Sequence, residues 1–179
     1  MKQFLRILFF LLPVAAAGQK FNVEKSMITF FSDAAIEDIS AKNEKTNSIF
    51  NSETGEIAFS IPIKEFKFEK SLMQEHFNEK YMDSEKYPKS TFQGKLTGFD
   101  AKKTGSQDCR AQGKLFIHGI TKDIDVPGTL EMTGGKVLMK SKFIVKLQDY
   151  EIAIPKLLWQ NIAEQVEVSI DFIFKPYEK

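Results

Sequence analysis

The side chains able to do chemistry are few and scattered. The two histidines, His76 and His118, lie 42 residues apart. Neither has a partner at i+2 on a strand or i+4 on a helix, the spacings that aim two ligands at one metal or a base at a nucleophile. His76 reads as a packing residue on an amphipathic stripe, and His118, just before Gly119, as a residue that hydrogen-bonds a turn. No serine sits in a G-x-S-x-G elbow, and the glycines are dispersed rather than gathered into a phosphate-cradling loop. Asp33 with Glu37, and Glu37 with Asp38, have the spacing of an acid–base pair, but solvated surface charge is the default reading of acids this numerous. Cys109 is alone and cannot close an internal disulfide. These residues point to no catalytic centre, metal site or cofactor, and the expectation is a non-enzymatic protein.

Composition narrows the remaining classes. Of 179 residues, 42% are apolar and 27% charged, so about 75 apolar side chains serve one core of ordinary domain size. Lys and Arg number 25 against 24 Asp and Glu, a balance without the basic footprint of a nucleic-acid binder. The unusual feature is aromatic: seventeen Phe against one Trp and four Tyr.

The first eighteen residues have the layout of a secretory signal. Lys2 and Arg6 precede an apolar run from Ile7 to Ala17, eleven residues that are too few to cross a bilayer of about 30 Å. Ala16 and Gly18 suit the small-residue positions of a cleavage site before Gln19. No cysteine follows to carry a lipid anchor. Cleavage removes two of the 25 basic residues and no acid, leaving 23 against 24 and a net charge of −1. The expected division is a signal peptide over residues 1–18 and one domain over 19–179, periplasmic or secreted.

From Phe21 onward the pattern is period two, the signature of strands. Ile57, Phe59, Ile61 and Ile63 share one face; Phe92, Gly94 and Leu96 share another, as do Gly113, Leu115 and Ile117. Val166, Val168, Ile170, Phe172 and Phe174 form the cleanest alternation. Thr133-Gly134-Gly135, Asn51 to Gly55 and Lys102 to Ser106 read as hairpin loops. About eight antiparallel strands result, an all-β chain that fits a closed barrel, which removes exposed edges. Two stretches depart from the period. Lys70 to Lys80, with Leu72, Met73, His76 and Phe77 on one stripe, predicts a short helix. Pro155 to Ala163, with Leu157, Leu158, Trp159 and Ile162, predicts a second helix or an irregular crossing.

Particular residues carry a family resemblance. The run His76-Phe77-Asn78-Glu79-Lys80-Tyr81-Met82-Asp83-Ser84-Glu85-Lys86-Tyr87-Pro88-Lys89-Ser90-Thr91-Phe92 resembles the helix-to-strand signature of the YceI-like, polyisoprenoid-binding family. Gly113 to Lys122, followed by Ile124, Val126 and Pro127, resembles its strand-turn-strand motif. Ser26 to Phe30 and Ile162 to Phe174 resemble the family's ends, and the likeness spans about Lys20 to Phe174. Met82 stands where an aromatic often lies beside Asp83. The resemblance implies an eight-stranded, lipocalin-like antiparallel barrel enclosing a polyisoprenoid, a quinone-like molecule or a similar long amphiphile, in an exported bacterial protein. It brings no catalytic residues. Inward candidates by parity are Ile28, Phe30, Ile57, Phe59, Ile61, Phe92, Leu96, Leu115, Ile117, Val137, Met139, Phe143, Val168, Ile170 and Phe172, with Phe77 and Trp159 as lids.

At roughly 0.8 kcal/mol per buried CH₂, a forty-carbon chain would gain on the order of 30 kcal/mol over water, beyond the ceiling of non-covalent binding. Water is therefore the wrong reference. Such a lipid starts in a membrane, and a barrel need only match that interior while polar groups at the mouth orient the head. The partners compatible with this reading are the lipid itself, a membrane surface touched transiently and a second copy of the chain, but no nucleic acid. The competing reading is a stress-related interaction module whose barrel is filled by its own Phe side chains. A lipid-acting hydrolase or isomerase comes last.

Overall fold

A computed structural model describes residues 20–33, 38–154 and 163–178. Ten strands form: β1 (Lys20–Ser32), β2 (Ile39–Asn43), β3 (Asn47–Asn51), β4 (Glu56–Pro62), β5 (Lys67–Phe68), β6 (Lys89–Thr97), β7 (Gly105–Ile117), β8 (Ile120–Thr133), β9 (Lys136–Lys146) and β10 (Gln165–Pro176). The sheet runs β10-β9-β8-β7-β6-β4-β3-β1 and closes by pairing β10 with β1. That ring is the eight-stranded barrel expected from the sequence. The two extra strands are short: β2 continues along the edge of β1 that β3 leaves free, and β5 adds to β2.

Period-two patterning becomes register. Phe92 lies opposite Phe59 and Leu115, and Phe172 opposite Met139 and Ser26. Gly94 lies opposite Gly113, and a Cβ on Gly94 would stand 2.6 Å from the Phe92 ring, so the missing side chain seats an aromatic over bare backbone. The Gly134-Gly135 turn has φ of 55° and 76°, the conformation that tight hairpins require and L-residues resist.

Two departures from regularity shape the wall. Asn43, fully buried, donates from Nδ2 to the Pro62 carbonyl at 2.8 Å and accepts the Lys45 N–H at the same distance, fixing the bend between β2 and β3. The β8–β9 ladder stops at Gly128–Ser141. Pro127 sits at that point and offers no N–H to extend it; Ser141 Oγ instead donates to the Pro127 carbonyl at 2.7 Å. Toward β8's start, Ile120–Pro127 pair with β7 alone.

The helical expectation for 70–80 resolves into α1 (Ser71–His76) followed by a π turn over Phe77–Tyr81, closed by Met82 N–H to the Phe77 carbonyl at 2.9 Å. Asp83, at φ 42°, then turns the chain toward β6. Residues 1–19 and 155–162 lie outside the described residues, so the signal segment and Trp159 have no structural account here.

Candidate functional site

The barrel has a closed end and a mouth. At the closed end, the start of β1, the end of β3, the end of β10 and the loop after β6 bring Phe21, Phe50, Phe174 and Phe99 together, with ring centroids 5.9 to 6.2 Å apart around Phe50. Leu130 and Val137 fill the remaining space with no exposure at all.

At the mouth lies an apolar chamber of about 380 Å³. Strands supply its floor and walls through Ile28, Phe30, Ile61, Val145, Val166 and Val168. Irregular segments supply its cover: Ile63, Phe66 and Phe68 around β5, Leu72, Met73, His76 and Phe77 along the helical segment, Tyr81 and Met82 after it, and Leu147 and Ile152 beyond β9. Phe77 stacks on Phe30 at 5.5 Å and packs against Phe66 and Phe68. It enters from the π turn, a distortion that widens the helix and often marks functional segments.

The chamber's polar side chains are Ser32, Ser90, His76 and Tyr81. Two of these are committed to the frame: Ser90 Oγ donates to the Phe116 carbonyl at 2.6 Å, and Ser32 Oγ accepts the Ala163 N–H at 3.2 Å. His76 and Tyr81 remain as polar atoms at the mouth. Burial pushes the Tyr81 phenol above its ordinary range, so it stays a neutral hydrogen-bond donor at physiological pH.

Between the two ends, Phe59 stacks on Phe92 at 5.1 Å and meets Phe172 edge-on at 5.7 Å. A void of about 60 Å³ lies against these rings, lined also by Leu96, Cys109, Leu115, Met139 and Phe143, and by Val126, Pro127 and Ser141 where β8 and β9 part. It shares no lining residue with the chamber. Burial pushes the Cys109 thiol up, with the neighbouring Asp108 charge adding to the shift.

The residues singled out by parity, and the lid candidate Phe77, therefore divide. Ile28, Phe30, Ile61, Phe77 and Val168 line the chamber. Ile57, Phe59, Phe92, Leu96, Leu115, Met139, Phe143, Ile170 and Phe172 line the narrow void. Val137 and Ile117 line neither: Val137 belongs to the closed end, opposite Phe174, and Ile117 packs beside the β7–β8 turn opposite Ile120. Of the covering residues, Ile63 continues the period-two face of β4, whereas those from Leu72 to Met82, and Leu147 and Ile152, stand outside the barrel strands. The sequence cues to them were the parity of Ile63 and the amphipathic stripe of Leu72, Met73, His76 and Phe77.

The two motif segments meet each other. The Tyr87 ring lies so close to Gly119 that a Cβ there would stand 2.7 Å from it, and Gly119 has φ 85°. The same ring packs edge-on against His118 at 4.9 Å. The turn His118 hydrogen-bonds is not its own: its Nδ1 lies 3.1 Å from the carbonyl of Tyr150, which ends the turn Leu147–Tyr150. A carbonyl only accepts, so the proton sits on Nδ1. His118 thus ties the β7–β8 hairpin to the segment that covers the chamber. Among the described residues, no cluster of three or more His, Cys, Asp or Glu has metal-binding geometry.

Comparison with known proteins agrees with this architecture. No curated protein matches the sequence. Among solved structures, the chain is similar to a polyisoprenoid binding domain from Saccharophagus degradans, implicated in plant cell wall breakdown, with 12% identity and a TM-score of 0.75 over 88% of this chain and 98% of that one. It is similar to Burkholderia cenocepacia BcnA, with 17% identity and a TM-score of 0.70 over 83% and 95%. For a Campylobacter jejuni YCEI protein the values are 16% and 0.59 over the whole of both chains. At these identities the likeness establishes the fold. The model of the YceI-like domain matches residues 19–174, nearly all of the sequence, and the chain belongs to the YceI-like domain family.

Proposed function

We propose that this protein is an exported binding protein that carries a polyisoprenoid, quinone-like or similar amphiphilic lipid with its hydrocarbon tail in the mouth chamber. The carrying observation is the chamber itself: about 380 Å³ of almost wholly apolar space, against about 60 Å³ for the void further down the lumen, within the volume range of small-molecule pockets. The structural likeness to a polyisoprenoid binding domain supports the ligand class. The layout of residues 1–18 supports export. His76 and Tyr81 are placed to orient a polar head, and Leu72, exposed at the mouth, is placed to touch the membrane from which the tail is drawn. The protein acts by holding and shielding, without bond-making chemistry.

The competing reading, a self-filled barrel acting through its surface, describes the closed half of the lumen but leaves the chamber without a purpose. One experiment separates the two. The full chain is expressed in bacteria, recovered from the periplasm or medium, and extracted with organic solvent for mass spectrometry. A lipid present near one mole per mole supports carriage, whereas repeated recovery of empty protein sinks it. The same sample tests export, since the mature amino terminus is expected at Gln19.

A further inference from the structure

We propose that the barrel accepts a hydrocarbon tail of about fifteen carbons, roughly three isoprene units, and that the Phe59, Phe92 and Phe172 cluster sets this limit. The inference rests on the carrier reading and adds the length of chain that reading leaves open. Apolar cavities of about 150 Å³ take a six-carbon ring, so at the same packing the chamber of about 380 Å³ takes about fifteen carbons.

Among the described residues the lumen beyond the chamber holds only the narrow void; the larger space of about 620 Å³ lies past it, against Lys140, Lys142 and Asp171 where β8 and β9 part. Two residues along β4 and β6 from the chamber's Ile61 and Ser90 come Phe59 and Phe92 of the aromatic cluster, in which Phe92 and Phe172 are each 1% exposed. Phe92 lies opposite Phe59 and Leu115, and its ring sits over Gly94, where a Cβ would stand 2.6 Å from it. The void on the far side, about 60 Å³, is too small for a further isoprene unit by the same scale. After it come Phe50, Phe99 and Phe174 in contact. Phe59 is the least enclosed of the three cluster rings, half-buried where its partners are fully buried, and its truncation is expected to join chamber and void. A tail longer than the limit keeps its excess outside the mouth, where each added methylene gains nothing from the protein.

The test titrates the mature protein with geraniol, farnesol and geranylgeraniol, prenols of ten, fifteen and twenty carbons, and reads affinity and stoichiometry by native mass spectrometry. From the ten- to the fifteen-carbon alcohol, affinity is expected to rise by more than about tenfold, as buried methylenes dictate. From fifteen to twenty it is expected to change by less than about threefold, because the added unit is not enclosed. Phe59→Ala should move the break toward the twenty-carbon alcohol; Phe59→Leu, a milder change, serves if the alanine variant does not fold. An affinity that keeps climbing by the same step from fifteen to twenty carbons overturns the limit while leaving carriage intact. An unaltered length profile in a folded Phe59 variant removes the cluster's role. Failure of every prenol to load overturns the carrier reading and the limit together.

Discussion

Four phenylalanines meet at each end of the barrel, and only one group leaves space beside it. Phe21, Phe50 and Phe174 come from β1, β3 and β10, and Phe99 from the loop after β6; the first three are at most 2% exposed. Strands of a closed sheet deliver them at one level from several sides, so their rings interlock and the end is sealed. At the mouth, Phe30 is the only member on a long barrel strand. Phe66, Phe68 and Phe77 come from the link before β5, from β5 itself and from the π turn, segments that stand off the barrel rather than bridging it. The rings touch, with Phe68 and Phe77 at 5.0 Å, yet they roof a cavity instead of filling it. The difference lies in the elements that carry the rings, not in residue type.

That contrast can be broken by substitution. Phe50→Ala should cost about 3 to 5 kcal/mol, the range for truncating a buried phenylalanine, measured by urea unfolding. Loading per folded molecule should stay unchanged. If loading fell with stability, the two ends would not be independent. Phe77→Ala should cost less than about 2 kcal/mol, because the ring is half-buried and borders a cavity, but weaken prenol binding by about tenfold or more. A Phe77 variant as unstable as Phe50→Ala would make the roof a structural core.

Cys109 sharpens the boundary between the ends, since it lies beyond the aromatic floor. Its buried, upward-shifted thiol should label slowly at neutral pH and faster as pH rises past the ordinary thiol range. A prenol in the chamber should leave that rate unchanged in the wild type and slow it in Phe59→Ala. The smallest effect belongs to the outer wall. Hydrogen bonds from Arg110 and Gln112 hold the Asp125 carboxyl below its ordinary range. A depressed folded-state pKa contributes stability above the unfolded carboxylate range and loses it as pH falls through the folded value. The melting temperature of Asp125→Asn should therefore trail the wild type slightly near neutrality and meet it in strong acid, with no change in loading.

Much of the barrel was legible before any coordinates. The alternation from Val166 to Phe174 is β10, and Thr133-Gly134-Gly135 is a hairpin turn. Period two reports which side of a strand faces inward, and both the chamber's wall residues and those of the floor obey it. It does not report level along the barrel axis, which is why Val137, with the right parity, lies in the plug. Nor does it report how far a ring reaches across the lumen, which is what divides a hollow half from a filled one. The roof was harder still. Leu147 and Ile152 lie in short turns and links with no repeat to read, and a π turn differs from an α turn by one backbone hydrogen bond. His118 was expected to bind a turn, but that the turn is Leu147–Tyr150, far along the chain, follows only from closure of the barrel.

The seam between β1 and β10 joins the first and last strands of the fold. Until the final strand has emerged from the ribosome or the export channel, β1 and β9 each present an unsatisfied edge, and such edges invite pairing with other chains. Folding must therefore wait for the whole polypeptide, and contacts so distant in sequence form slowly. This order of events is compatible with the export proposed above, in which the wall would shut only after the last strand arrives.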